Sequence, residues 1–163
     1  MAHTASKEDP SGSTPAGRVL LVDDQPELRR LLRRSLIKAG HVVVEASNGR
    51  VAVELAQQLR FDVVISDVGM PDMSGVELLE ALRELDPDLP VVITSGWPEA
   101  SVSLEAFAYL EKPVAFETVC STAERAIQVR RARNAAREGF DPAASVERLR
   151  IPRADGDDDD TEP

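Results

Sequence analysis

Short β-branched or aliphatic runs recur along this chain, each closed by a small, polar or charged residue and followed by apolar positions at helical spacing. Val19-Leu-Leu-Val22 stops on Asp23-Asp24, Val42-Val-Val-Glu-Ala46 stops before Asn48-Gly49, and Val63-Val-Ile-Ser-Asp67 breaks at Gly69 and Pro71. Leu89-Pro-Val-Val-Ile-Thr94 ends on Ser95-Gly96, and Ala108-Tyr-Leu-Glu111 on Lys112-Pro113. Runs this short with turn residues directly after them predict inner strands of a parallel sheet covered on both faces.

Between them lie helical patterns. Pro26 suits the first turn of a helix with Leu28, Leu31, Leu32 and Leu36 on one face, four arginines largely on another, and an end near Gly40. Asn48-Gly49 reads as a turn before Val51, Ala52, Leu55 and Leu59 at helical spacing. Val76, Leu78, Leu79 and Leu82 predict a helix that stops before Pro87, with Ser74 as its cap. The segment from Trp97 to Phe107 is the least regular, because Ser101 and Ser103 dilute its pattern, and a short helix is expected there. Phe116, Val119, Cys120, Ala123 and Ile127 line a long last helix that runs into Arg130-Arg-Ala-Arg133, basic residues that the helix dipole favours near its end. Five strands alternating with five helices predict an α/β, doubly wound parallel sheet.

The strand ends bring chemistry into the picture. In a parallel sheet they share one edge, which gathers Asp23 and Asp24, Asp67, Thr94 and Lys112. An N-cap is the plain alternative for Asp67, but Ser74 is better placed for it. Three crowded carboxylates repel and raise one another's pKa unless a divalent cation lies among them, and oxygen ligands alone suit Mg2+. Asp67 can then act as a nucleophile towards phosphorus, with the Thr94 hydroxyl and the Lys112 ammonium meeting the phosphoryl oxygens.

Composition narrows the partners. The 163 residues, 42% of them hydrophobic, suit one domain with tails. The net charge of -10 gives no electrostatic footprint for nucleic acid or an anionic membrane, and half of that excess falls in residues 141–163. Residues 1–17 have the composition of a disordered tail, and the acidic run Asp155-Gly-Asp-Asp-Asp-Asp160 that of a solvated one, after one weak helical turn at Ser145–Leu149. A single cysteine, Cys120, at an apolar helical position reads as core, and with no signal peptide or membrane span the expectation is a cytoplasmic protein.

The pieces Val19-Leu-Leu-Val-Asp23-Asp24-Gln-Pro26, Val63-Val-Ile-Ser-Asp67-Val-Gly-Met-Pro-Asp-Met-Ser-Gly75, Val91-Val-Ile-Thr94-Ser-Gly96 and Tyr109-Leu-Glu-Lys112-Pro113 together resemble a receiver domain of the response regulators of two-component signalling. The resemblance covers residues 18–130, leaving 131–163 as a helix extension and acidic tail. It implies five strands in the order 2-1-3-4-5. It implies that Asp67 takes a phosphoryl group from a phosphohistidine on a sensor histidine kinase or phosphotransfer protein. Asp24, Asp67 and the Gly69 backbone carbonyl would ligate Mg2+, with Asp23 acting through water. Lys112 would pair with the bound phosphate, Thr94 would move towards it, and Tyr109 would swing inward in response, a population shift between two packings. A core-packed tyrosine is the other reading of Tyr109. Gly69 and Gly96 flank the phosphoryl site and are expected to be passive towards its hydrolysis. Such a domain is a switch rather than an enzyme, assisting only its own phosphorylation and slow dephosphorylation. The interval from Thr94 to Lys112 is about one helical turn shorter than the family's pattern, which clips the fourth helix and alters the usual dimer or output face.

The alternatives are a phosphatase of the haloacid dehalogenase type, disfavoured because its paired acids stand two apart after the first strand, and a scaffold whose phosphorylation is vestigial. The expected output is an unknown downstream protein or a second copy of the chain, without a DNA-binding domain. The arginine face of the first helix reads as a solvated surface or a docking face.

Overall fold

The computed structural model describes residues 16–96 and 105–139. The expected N-terminal tail, apart from its last two residues, most of the Trp97–Phe107 segment, the turn near Ser145 and the acidic run lie outside them. Nine elements follow in order: β1 (Arg18–Val22), α1 (Pro26–Lys38), β2 (Val42–Ala46), α2 (Gly49–Gln58), β3 (Val63–Asp67), α3 (Gly75–Leu85), β4 (Val91–Ser95), β5 (Ala108–Glu111) and α4 (Phe116–Glu138). The strands form one sheet in the order β2-β1-β3-β4-β5, every neighbouring pair parallel.

The alternation of side chains along each strand divides the core into two layers. Leu20, Val22, Val64, Val91 and Ile93 pack on one face against Ala52 of α2 and Leu78, Leu79 and Leu82 of α3. Val19, Leu21, Val63, Ile65 and Val92 pack on the other against Leu32 and Leu36 of α1 and Val119, Ala123, Ala126 and Ile127 of α4. Burial on both faces is why β3 and β4 are apolar without alternation, and all five residues of each are buried. Four helices stand among the described residues, two per face.

Three local readings change. Asn48 is a helix cap rather than a turn residue: its Oδ1 accepts from the Val51 N–H at 2.9 Å, and Gly49 is already helical. A Cβ on Gly49 would fall 2.7 Å from Met73 Sδ, so the glycine is there for close packing. Leu31 is 46% exposed, because it lies off the Leu28–Leu32–Leu36 stripe that faces the sheet. Cys120 is half-buried at the margin of the α1–α4 layer rather than within it. Burial first, then Glu124 and Glu117, raise its pKa, which keeps it a thiol at neutral pH.

The basic end of α4 does more than follow the helix dipole. Arg130 Nη2 donates to Asp86 Oδ2 at 2.6 Å, Arg137 pairs with Asp88, and Arg131 Nη2 lies 3.9 Å from Asp62 Oδ2. These contacts fasten the last turns of α4 to the loops at the edge where the strands begin. His41 is buried at that edge, with Nδ1 accepting from the Gly17 N–H at 3.2 Å and Nε2 3.9 Å from Glu124 Oε1.

Candidate phosphoacceptor and metal site

β1 carries Asp23 and Asp24 just past its end, while β3 ends on Asp67 itself. In the sheet register Asp67 sits beside Thr94, and Ser95 beside Glu111, which brings Lys112 to the same edge. The Lys112 N–H donates to Ser95 O at 2.7 Å, and the Lys112–Pro113 peptide is cis. One carboxylate oxygen from each of Asp23, Asp24 and Asp67 lies within 4.8 Å of the others. Lys112 Nζ is 3.2 Å from Asp67 Oδ1. Among the described residues, one ammonium therefore stands at a cluster of three carboxylates.

Asp23 is buried and held at both ends. Its N–H donates to Ala46 O at 3.2 Å and its Oδ1 accepts from the Gln25 N–H at 2.8 Å. Its pKa is raised, chiefly by burial; the Gln25 amide and Lys112 oppose the shift, and Asp67 and Asp24 add to it. Asp24 Oδ1 is buried without a hydrogen-bond partner. A buried carboxylate oxygen left unpaired beside two further carboxylates is a poor arrangement for protein alone, and a hard divalent cation satisfies all three. The donor set thus fits Mg2+ on the structure's own terms.

Thr94 is buried, and its hydroxyl makes a long, 3.5 Å contact to Ser66 O. It lines a mainly apolar cleft of about 560 Å³ with Leu28, Leu32, Lys112, Val114 and Phe116. Tyr109 lies beside Ile93 in the register, one position from Thr94, and packs half-buried against the α2–α3 layer. Gly69 is exposed in the loop after β3, two residues beyond Asp67. The structure therefore brings Asp23, Asp24, Asp67, Thr94 and Lys112 to one edge, with Gly69 and Tyr109 on its flanks.

Ser74 caps α3, as expected, within a full capping box: the Glu77 N–H donates to Ser74 Oγ at 3.2 Å and the Ser74 N–H to Glu77 Oε2 at 2.8 Å. That leaves Asp67 free of a capping role. Two contributors were not singled out from the sequence. A Cβ on Gly75 would lie 2.6 Å from Asp67 O and 2.9 Å from Val68 Cα, so only glycine lets α3 begin against the strand that presents Asp67. Arg29, read only as part of a basic face, has its guanidinium against the backbone of Asp23.

A family model described as the response regulator receiver domain matches residues 19–124. This chain belongs to the response regulator receiver domains. Among relatives, the C4-dicarboxylate transport transcriptional regulatory protein DctD of Pseudomonas aeruginosa is 38% identical over 120 residues, 70% of this chain and 26% of DctD. The chain thus spans about a quarter of that regulator's length. Chemotaxis protein CheY4 of Vibrio cholerae superposes with a TM-score of 0.64 at 35% identity over 68% of this chain and 98% of its own. The response regulator TrrA of Thermotoga maritima, solved in complex with Mg2+–BeF, gives 0.63 at 27% identity over 68% and 98%. The five parallel strands and their order are those of the receiver fold. Membership places the chain in a family other than the haloacid dehalogenases. No helix among the described residues is long and apolar enough to cross a membrane.

Proposed function

We propose that this receiver domain, residues 18–130 with a helix extension, is a Mg2+-dependent phosphoacceptor switch whose acceptor is Asp67. The observation that carries the reading is the under-neutralised pocket: three carboxylates within 4.8 Å of one another, a buried Asp24 oxygen without a partner, and one ammonium 3.2 Å from Asp67. The Mg2+-bound relative TrrA supports the choice of metal.

Asp24, Asp67 and the Gly69 carbonyl would hold the ion, with Asp23 acting through water. Bound Mg2+ supplies neutralisation of the carboxylates and of the arriving phosphoryl oxygens. An Asp67 carboxylate oxygen attacks the phosphorus of a phosphohistidine; the P–O bond forms as the P–N bond breaks, and the imidazole nitrogen leaves with the electron pair and takes a proton from solvent. Lys112 shifts from the free carboxylate to a phosphoryl oxygen, and the Thr94 hydroxyl, weakly held at 3.5 Å, is available to donate to another. Movement of Thr94 is passed to Tyr109 on the neighbouring strand, changing the surface of the β4–β5 side. A sensor histidine kinase or phosphotransfer protein on the cytoplasmic side is the donor, and a protein partner or second copy reads the changed surface.

The test is labelling by acetyl phosphate with Mg2+, read as a phosphoryl mass increment on the intact chain. The increment is expected in the wild type and absent in Asp67→Asn or in excess EDTA. Absence of label in the wild type at saturating Mg2+ would return the chain to a vestigial scaffold.

A further inference from the structure

We propose that Arg29 is a positioning residue for the metal pocket, and that with Glu45 it forms a brace across α1, β1 and β2 on which Mg2+ affinity depends. The inference rests on the phosphoacceptor reading and deepens it. It assigns a role to two residues that no strand end supplies to the chemistry.

Arg29 leaves the first turns of α1 with its side chain only 17% exposed. Its Nη1 donates to Asp23 O at 2.6 Å and its Nε to Glu45 Oε1 at 3.2 Å. Glu45 is steadied in turn by Arg33 Nε, 3.3 Å from its other oxygen. Asp23 is thereby fixed at three points: its amide by Ala46 O, its carboxylate by the Gln25 N–H and its carbonyl by Arg29. Ala46 and Glu45 are neighbours on β2, so two of the three restraints return to that strand.

The consequence falls on Asp24. The Asp23 carbonyl and the Asp24 amide belong to one planar peptide group, so holding that oxygen sets the direction in which Asp24 leaves the strand. Asp24 Oδ1 has no hydrogen-bond partner that could place it instead. The guanidinium serves the backbone oxygen and the carboxylate from two nitrogens held in fixed geometry, whereas a lysine would offer its three donors from one point on a flexible stem.

Sign separates this role from simple charge. Arg29 is a cation near a cation site, so on electrostatics alone its removal would tighten Mg2+ binding. A brace predicts the opposite, and loss of residues that orient ligands weakens metal binding by about tenfold or more.

The experiment measures Mg2+ affinity by calorimetry on the full chain in wild type, Arg29→Ala, Arg29→Lys and Glu45→Gln, with hydrogen exchange of the Gln25 amide followed by NMR in EDTA. The expected result is about tenfold weaker Mg2+ binding in Arg29→Ala, little rescue by Arg29→Lys, a smaller loss in Glu45→Gln, and faster Gln25 exchange in all three without metal. Urea unfolding identifies any variant that has lost its fold, and Glu45→Gln, nearly isosteric, keeps the test informative in that case. Arg29→Ala binding Mg2+ as tightly as wild type or tighter, with Gln25 exchange unchanged, overturns the brace. Absence of saturable Mg2+ binding in the wild type itself removes the phosphoacceptor reading and the brace together, whereas normal wild-type binding with an unaffected variant removes the brace alone.

Discussion

The two edges of the sheet handle the same number of acids in opposite ways. Where the strands end, one oxygen from each of Asp23, Asp24 and Asp67 lies within 4.8 Å of the others, one ammonium among the described residues pairs with Asp67, and an Asp24 oxygen is buried with no hydrogen-bond partner. Where they begin, Asp62, Asp86 and Asp88 each have an arginine: Arg131, Arg130 and Arg137. Asp62 also accepts from the Arg18 backbone N–H at 2.8 Å. At the second edge burial raises the pKa of Asp86, but the Arg130 hydrogen bond and charge outweigh it and hold the carboxyl below its usual value. At the first, burial and two neighbouring acids leave Asp23 raised. Carboxylates neutralised within the chain hold it together, and carboxylates left short of positive charge can accept it from outside.

The largest effect should come from the edge proposed to react. Asp67→Asn is expected to lower acetyl phosphate labelling by more than about 100-fold, read by intact mass, while the urea midpoint stays near or above that of the wild type. At the opposite edge Arg130→Ala should cost about 3 kcal/mol in urea unfolding, because it strands the partly buried Asp86 carboxylate, and should leave labelling intact once refolded. Arg137→Ala, whose side chain is mostly exposed, should cost about 0.5 kcal/mol or less in the same titration.

The sharpest form of the contrast is a reversal of sign. In EDTA, Asp24→Asn should stabilise the protein by about 1 kcal/mol by relieving repulsion, whereas Asp86→Asn should destabilise it by about 1–2 kcal/mol by weakening a charge-assisted hydrogen bond. Equal signs in urea unfolding would dissolve the distinction between the edges.

A smaller, pH-dependent effect belongs to His41. Burial lowers its pKa below 6.5; Arg131 acts the same way, and Glu124 and Asp62 oppose. A group depressed in the folded state lends its full stability above the unfolded value and loses it as pH falls. Wild type should therefore weaken between pH 7.5 and 5.5, by protonation at the Nδ1 that accepts from Gly17, and His41→Asn should flatten that slope in paired urea titrations. Least of all is expected from Gly96→Ala: among the described residues a Cβ there meets nothing within 4 Å, so the phosphoryl lifetime, followed by loss of the mass increment, should change less than tenfold.

The edge proposed to react was legible in the sequence because strands announce themselves by composition and deliver their last residues to a common place. Asp23, Asp24, Asp67, Thr94 and Lys112 could be read from run endings alone. The bracing edge was not, since Arg130 and Asp86 lie 44 residues apart with no periodicity joining them. Arg29 was misjudged for a related reason: helical spacing puts it on the polar face, and only the position of β2 reveals that this part of the face is covered. Leu31 erred in the other direction, an apolar residue just off the stripe that faces the sheet. Asn48-Gly49 satisfies the rules of a turn and of a helix start equally, and the backbone after it decided between them.

The register of three strands carries a last consequence. Asp67 meets Thr94, and Lys112 joins them, only while β3, β4 and β5 pair as Asp67↔Thr94 and Ser95↔Glu111. A slip of one residue would turn the aspartate to the opposite side of the sheet and away from its ammonium. On the proposed function, capacity to be phosphorylated and completion of the tertiary structure are one event, so a misfolded or half-synthesised copy would take no label from acetyl phosphate.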